Sequence, residues 1–155
     1  MKKTPEGWPR ISSALFYEDA GQAIDWLCRA FGFEVRLKVE GEGGRIEHSE
    51  LVFGEGLVMV GSAGGNDPSG THRQSPKGAG GVNTQSLCVA VDDADAHCAR
   101  ARAAGAKIVV EPTTKDYGGD YWADRTYEAW IRRDTTGGSC NACAIRSPGR
   151  GGSLR

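Results

Sequence analysis

Two stretches decide the fold: Ser13-Ala14-Leu15-Phe16-Tyr17-Glu18-Asp19 and Ser86-Leu87-Cys88-Val89-Ala90-Val91-Asp92. Each is a short, mainly apolar run that ends in an acid. A helical stretch follows each, closing at Gly32 in the first copy and Gly105 in the second. The chain then resumes as Phe33-Glu34-Val35-Arg36-Leu37 or Ala106-Lys107-Ile108-Val109-Val110. The spacing from Asp19 to Gly32 equals that from Asp92 to Gly105, with no gap needed. A duplicated supersecondary unit therefore sets the architecture.

Each landmark has a local cause. Asp19, and Asp92 or Asp93, can accept hydrogen bonds from the first free N–H groups of a helix. Ala23, Ile24, Leu27, Cys28 and Phe31 recur at helical spacing and predict one buried face. The second helix carries the weaker stripe Ala96, Ala99 and Ala103 among Arg100 and Arg102, so it is expected to pack closely and bury less. Gly32 and Gly105 can take the left-handed conformation that ends a helix.

Three strands are predicted after the first helix: Glu34 to Glu40, Arg45 to Phe53 and Leu57 to Gly61. Glu42-Gly43-Gly44 and Gly54-Glu55-Gly56 supply the turns between them. The first module is thus βαβββ, over residues 10–61, after an extension at 1–9. A Gly/Ser/Pro/Asn connector occupies 62–83. The second module, 84–127, opens identically with strands at Gln85 to Val91, Lys107 to Glu111 and Asp120 to Tyr127, and then lacks a strand pattern for its last member. The expected fold is α+β: two tandem βαβββ modules, the second without its usual last strand.

Composition bounds the function. At 155 residues, 39% apolar and 25% charged, the chain has room for one compact domain or two small modules. A formal charge of -1 leaves no basic footprint, so nucleic acid is not an expected partner. No apolar run approaches the roughly 20 residues that cross a bilayer, and Met1 to Arg10 is charged with no signal-type core after it. The expected address is the cytoplasm, with no membrane partner. Five cysteines, an odd number, argue against a disulfide framework. Cys28, Cys88 and Cys98 are read as small buried apolar residues, and the lone CxxC at Cys140 and Cys143 is a weak zinc or redox signal.

Several strings resemble the vicinal-oxygen-chelate superfamily, the glyoxalase, bleomycin-resistance and dioxygenase group. They are Phe16-Tyr17-Glu18-Asp19-Ala20, Ala30-Phe31-Gly32-Phe33-Glu34, His48-Ser49-Glu50-Leu51 with Gly54, Val91-Asp92-Asp93-Ala94-Asp95-Ala96 with Ala103-Ala104-Gly105-Ala106, and Tyr117-Gly118 through Asp124-Arg125-Thr126-Tyr127. The likeness runs over about residues 10 to 127 and speaks to fold more than to function, since this fold hosts lyases, isomerases, dioxygenases and drug-binding proteins. In metal-using members, His, Gln or Glu ligands come from the first and last strands of each module. The resemblance places Ser12, Ser13, Met59, Gln85 and Ser86 at those positions. Hydroxyls and a thioether suit divalent ions poorly, so no cofactor is expected.

The remaining candidates are ligand contacts. His48 and Glu50, two apart on a strand, point to one sheet face. That spacing serves a ligand pocket or a metal, and a half-exposed polar strand face is the plainer reading. His72 in the connector and His97 among charged neighbours read as solvated. Tyr121, Trp122 and Arg125 can line a groove for a planar or anionic molecule, or simply pack.

The tail reads as another frame. Related proteins follow the tyrosine with Asp-Pro-Glu-Gly-His and then aromatic residues. This chain has Glu128-Ala129-Trp130-Ile131-Arg132-Arg133-Asp134 and a Gly/Ser/Arg-rich end. Back-translated with G or C in most free codon positions, and read from the third base of the Glu128 codon, the stretch spells Gly-Val-Asp-Pro-Glu-Gly-His-His-Arg-Trp-Phe-Leu-Gln-Arg-Leu. Residues 128–155 are therefore expected to be an irregular, out-of-frame tail. A missing last strand would leave the first strand of the second module unpaired.

The resemblance implies metal-independent binding of a small molecule, a drug or a metabolite, by a homodimer. Two rivals stand beside it: a metal-dependent lyase, isomerase or extradiol-type dioxygenase of the same superfamily, using a divalent ion, and a non-functional frameshifted product.

Overall fold

The structure is a computed structural model that describes residues 2–64, 73–81, 85–115, 124–130 and 142–148. The chain divides into two compact units, Met1–Gly80 and Gly81–Arg155. In the first, β1 (Ser13–Tyr17), α1 (Ala20–Phe31), β2 (Glu34–Glu40), β3 (Ile46–Phe53) and β4 (Gly56–Ser62) follow one another. The four strands form one sheet in the order β1-β4-β3-β2. β1 runs parallel to β4, and the other pairs are antiparallel.

The predicted helix signals act as read. The Asp19 side chain accepts from the Gln22 N–H at 2.9 Å, and Gly32 closes α1 with φ 80°. The helix buries Ala20, Ala23, Ile24, Leu27, Ala30 and Phe31. The helix packs on β1, β3 and β4, which bury Leu15 and Tyr17, Leu51, and Val58 and Val60 respectively. Trp26 joins the helix's buried set and packs edge-on against Phe31 at 5.1 Å, whereas Cys28 is half-buried. Ser49, fully buried on β3, donates its hydroxyl to the Val60 carbonyl at 2.6 Å, so burial leaves it satisfied.

The second unit contains β5 (Leu87–Ala90), α2 (Ala94–Ala103), β6 (Lys107–Lys115), β7 (Asp124–Trp130) and β8 (Ala142–Pro148). Its sheet order, β5-β8-β7-β6, repeats that of the first. Here the expectation of a missing last strand is corrected. β8 pairs parallel with β5 and antiparallel with β7, so the inner edges of both are covered. The segment had no strand signature because its apolar residues, Ala142, Cys143 and Ala144 beside Ile145, are mostly small. Ile145 is the large apolar side chain that β8 buries, at 0% exposure beside fully buried Tyr127, and Ser147 turns inward to accept from the Ala94 N–H at 3.2 Å.

Further boundaries differ: β5 is shorter than the expected Gln85 to Val91, while β6 and β7 run on past Glu111 and Tyr127. The cap of α2 is Asp93, which accepts from the N–H groups of Asp95 and Ala96, and α2 has 10 residues against 12 in α1. The equal acid-to-glycine spacing therefore hides a shorter second helix. The buried stripe is Ala94, Cys98 and Ala101, while Ala96, Ala99 and Ala103 are exposed. The alanine pattern was out of phase, because with so little apolar residue on the helix, sheet contact rather than composition sets the inward face. α2 ends in a Schellman arrangement: Ala106 N–H donates to Ala101 and Gly105 N–H to Arg102, with Gly105 at φ 86°.

Part of the connector docks on the first unit. Ser75 is buried, Lys77 pairs with Glu18 at 3.0 Å, and the Arg73 guanidinium lies 5.4 Å from the Phe16 ring centroid. Among the described residues no helix is long and apolar enough to cross a membrane.

Candidate functional site

Side chains alternate along a strand, so β3 divides cleanly. Ser49 and Leu51 go to the side covered by α1, and His48 and Glu50 to the other. Glu50 sits directly across from Met59 on β4, which in turn neighbours Ala14 on β1. The register between β2 and β3 shifts between Val35 and Leu37, leaving Arg36 as the unpaired residue of a bulge. Bulges re-aim side chains, and this one delivers the guanidinium to Glu50: Arg36 Nε and Nη2 both reach Glu50 Oε2 at 2.7 Å. The other oxygen, Oε1, takes His48 Nε2 at 3.1 Å.

A second layer holds Arg36. Its Nη1 donates to the Gly7 carbonyl, and its guanidinium lies 4.9 Å from the centroid of the Trp8 ring, within cation–π range. Glu50 keeps only 7% of its surface exposed. The His48 ring, ahead of Arg36, holds its carboxyl below the ordinary carboxylate range, against burial, which acts in the opposite direction. The cluster is a carboxylate whose charge is already balanced, beside a His48 side chain that is 40% exposed. Arg36, Gly7 and Trp8 escape a reading of the sequence, because neither a bulge nor the docking of an N-terminal turn has a residue signature.

The other candidates separate. Arg125 faces α2, where its Nη2 donates to Asp95 Oδ1 at 2.7 Å and depresses the Asp95 carboxyl. Ser147, its partner on β8, also points to that helix. Arg125 is thus an anchor between β7 and α2. Tyr121, Trp122 and His72 lie outside the described residues, as does Cys140 and the side chain of Cys143. His97, read as solvated, instead has Nδ1 2.7 Å from the hydroxyl of Tyr127. Cys88 is exposed, not buried, because the buried face of β5 belongs to Val89.

At the positions where metal-using relatives carry ligands, Ser13 shares the α1 side with Leu15, and Met59 offers a thioether next to an Arg-paired Glu50. Gln85 and Ser86 are exposed just before β5. Ser12 Oγ is buried with no hydrogen-bond partner among the described residues. The serine hydroxyls and the thioether suit a divalent ion poorly, and Gln85 is the one of these five with a donor type that metal-using relatives employ. Among the described residues no three His, Cys, Asp or Glu side chains converge.

The profile of the Glyoxalase/Bleomycin resistance protein/Dioxygenase superfamily matches residues 10–136. The chain belongs to this superfamily. Among solved structures, this glyoxalase-superfamily protein is similar to TioX from Micromonospora sp. ML1, at 30% identity and a TM-score of 0.64, over 90% of this chain and 98% of that one. It shares its fold with TnmS3, an antibiotic binding protein from Streptomyces sp. CB03234, at 16% identity and TM-score 0.55, over 89% and 93% of the two chains. It also shares it with lactoylglutathione lyase from Agrobacterium tumefaciens, at 18% identity and TM-score 0.53, over 94% and 96%. None of the curated proteins compared with the chain matches it.

Proposed function

We propose that this superfamily member binds a small molecule, a drug or a metabolite, without metal chemistry, on the face of its first sheet that carries His48 and Glu50. One observation carries the reading: a buried carboxylate on that face is neutralised by Arg36, the task a cation would otherwise perform. Its strand neighbours Met59, Leu37 and Ala14 are apolar. A mostly apolar surface with a few fixed polar groups is how small-molecule sites are built. TnmS3 is described as an antibiotic binding protein, so the fold itself accommodates a drug.

The test is thermal denaturation against glycopeptide drugs such as bleomycin, in chelator, because a ligand bound to the folded form raises the melting temperature. A rise that survives chelation supports the reading. The rival, a metal-dependent lyase, isomerase or dioxygenase, draws on the fold shared with lactoylglutathione lyase. A stoichiometric divalent ion in protein purified without chelator would establish it.

A further reading, in which residues from about Glu128 onward are read in a shifted frame, has to meet two observations: the family match runs on to residue 136, and β7 and β8 continue the sheet past Glu128. Sequencing the gene across Tyr127 decides it: codons unable to spell Asp-Pro-Glu-Gly-His in the shifted frame dismiss the idea.

A further inference from the structure

The cluster on the sheet face opposite α1 also constrains what the ligand must carry. Glu50 Oε2 accepts a hydrogen bond from Arg36 Nε and forms an ion pair with Nη2, an arrangement that suits an ionised carboxylate, which has no proton to donate. The contact between His48 Nε2 and Glu50 Oε1 at 3.1 Å therefore needs the proton on Nε2. In a neutral imidazole the other ring nitrogen is then a bare acceptor. Trp8 and Gly7 fix Arg36, Arg36 fixes Glu50, and Glu50 fixes the tautomer and orientation of a ring whose side chain stays 40% exposed.

From this geometry we infer that His48 Nδ1 is a hydrogen-bond acceptor presented to the ligand, and that the site selects molecules bearing an O–H or N–H donor on an apolar, flat body. The flat body is matched by the neighbours of the ring. Val39 lies directly across from His48 and Leu37 across from Glu50, both more than 40% exposed, and Met59 flanks Glu50 on its other side. This inference rests on the small-molecule reading above and adds the chemical class. Glu50 and Arg36 are positioning residues in it, acting through His48.

Two measurements on the full chain test it. Long-range proton–nitrogen correlation spectra at pH 7.5 report the tautomer directly: the expected result is a proton on Nε2 of His48 and none on Nδ1. A proton on Nδ1 overturns the inference. Binding is then compared for 2-naphthol, which carries the donor, and 2-methoxynaphthalene, which lacks it. The expectation is an affinity about fivefold higher for 2-naphthol, the worth of one hydrogen bond, with the Nδ1 resonance moving on binding. In His48→Ala, and to a lesser degree in Trp8→Ala, that preference is expected to shrink. Equal affinities would overturn the donor requirement while leaving the small-molecule site standing, whereas failure of both probes to shift any resonance of β2, β3 or β4 would overturn the site itself.

Discussion

Glu50 shows how one side chain couples stability to pH. A carboxyl depressed in the folded state contributes stability that is complete above its ordinary value of 4.5 and is lost as pH falls through the lower folded value. Glu50→Gln is therefore expected to cost about 1.5–3 kcal/mol at pH 7, the scale of a hydrogen bond to a charged group. Relative to wild type, the loss should narrow as pH falls below 4.5, and urea denaturation at pH 7 and at pH 3 checks both limbs. The cysteines make a second residue-scale contrast. Burial pushes the Cys98 thiol up and the side chain is inaccessible, whereas Cys88 is exposed. Native alkylation followed by peptide mapping is expected to label Cys88 and leave Cys98 intact; modification of Cys98 at the same rate would contradict its burial. A sequence can nominate His48 and Glu50 because period two puts them on one face. It cannot nominate Arg36, because the bulge that turns it toward Glu50 exists only in the pairing of β2 with β3.

At the scale of elements, caps and glycines were legible because their physics is local. Asp19, Asp93, Gly32 and Gly105 act within one turn of chain. Gly105 has open space where a Cβ would sit and φ 86°, so Gly105→Ala should cost ~1–2 kcal/mol from backbone conformation alone, measurable as a lower melting temperature. β8 was illegible for the opposite reason. Its place depends on pairing with β5, far away in sequence, as well as with β7, and among its described side chains Ile145 is the buried apolar one. Ile145→Ala is expected to destabilise by roughly 3 kcal/mol through the cavity it leaves. Ending the chain after Trp130 should expose the paired edges of β5 and β7 and drive association, seen as loss of soluble protein or as high-mass species on gel filtration. A truncated chain as soluble and stable as the full one would mean that residues 142–148 do not complete the sheet.

At the scale of the molecule, each unit repeats one sheet order, with the strand before the helix placed beside the last strand of its own unit. The superfamily builds its sites on such modules, and we propose that the working form is a homodimer. Sedimentation equilibrium is expected to give twice the 16.5 kDa of the chain, and a monomer at micromolar concentration would refute it. The sequence by itself determined the duplicated β-α-β-β framework, the caps, and the limits of β2, β3 and β4 to within a residue, because alternation and helical spacing are carried by neighbouring residues. Only tertiary structure decided that a segment with a single large apolar residue is the fourth strand of the second sheet, that Arg125 anchors a helix, and that Arg36 with Trp8 orders the His48–Glu50 pair. Each of these depends on contacts between residues distant along the chain, where the free energy of pairing outweighs local preference.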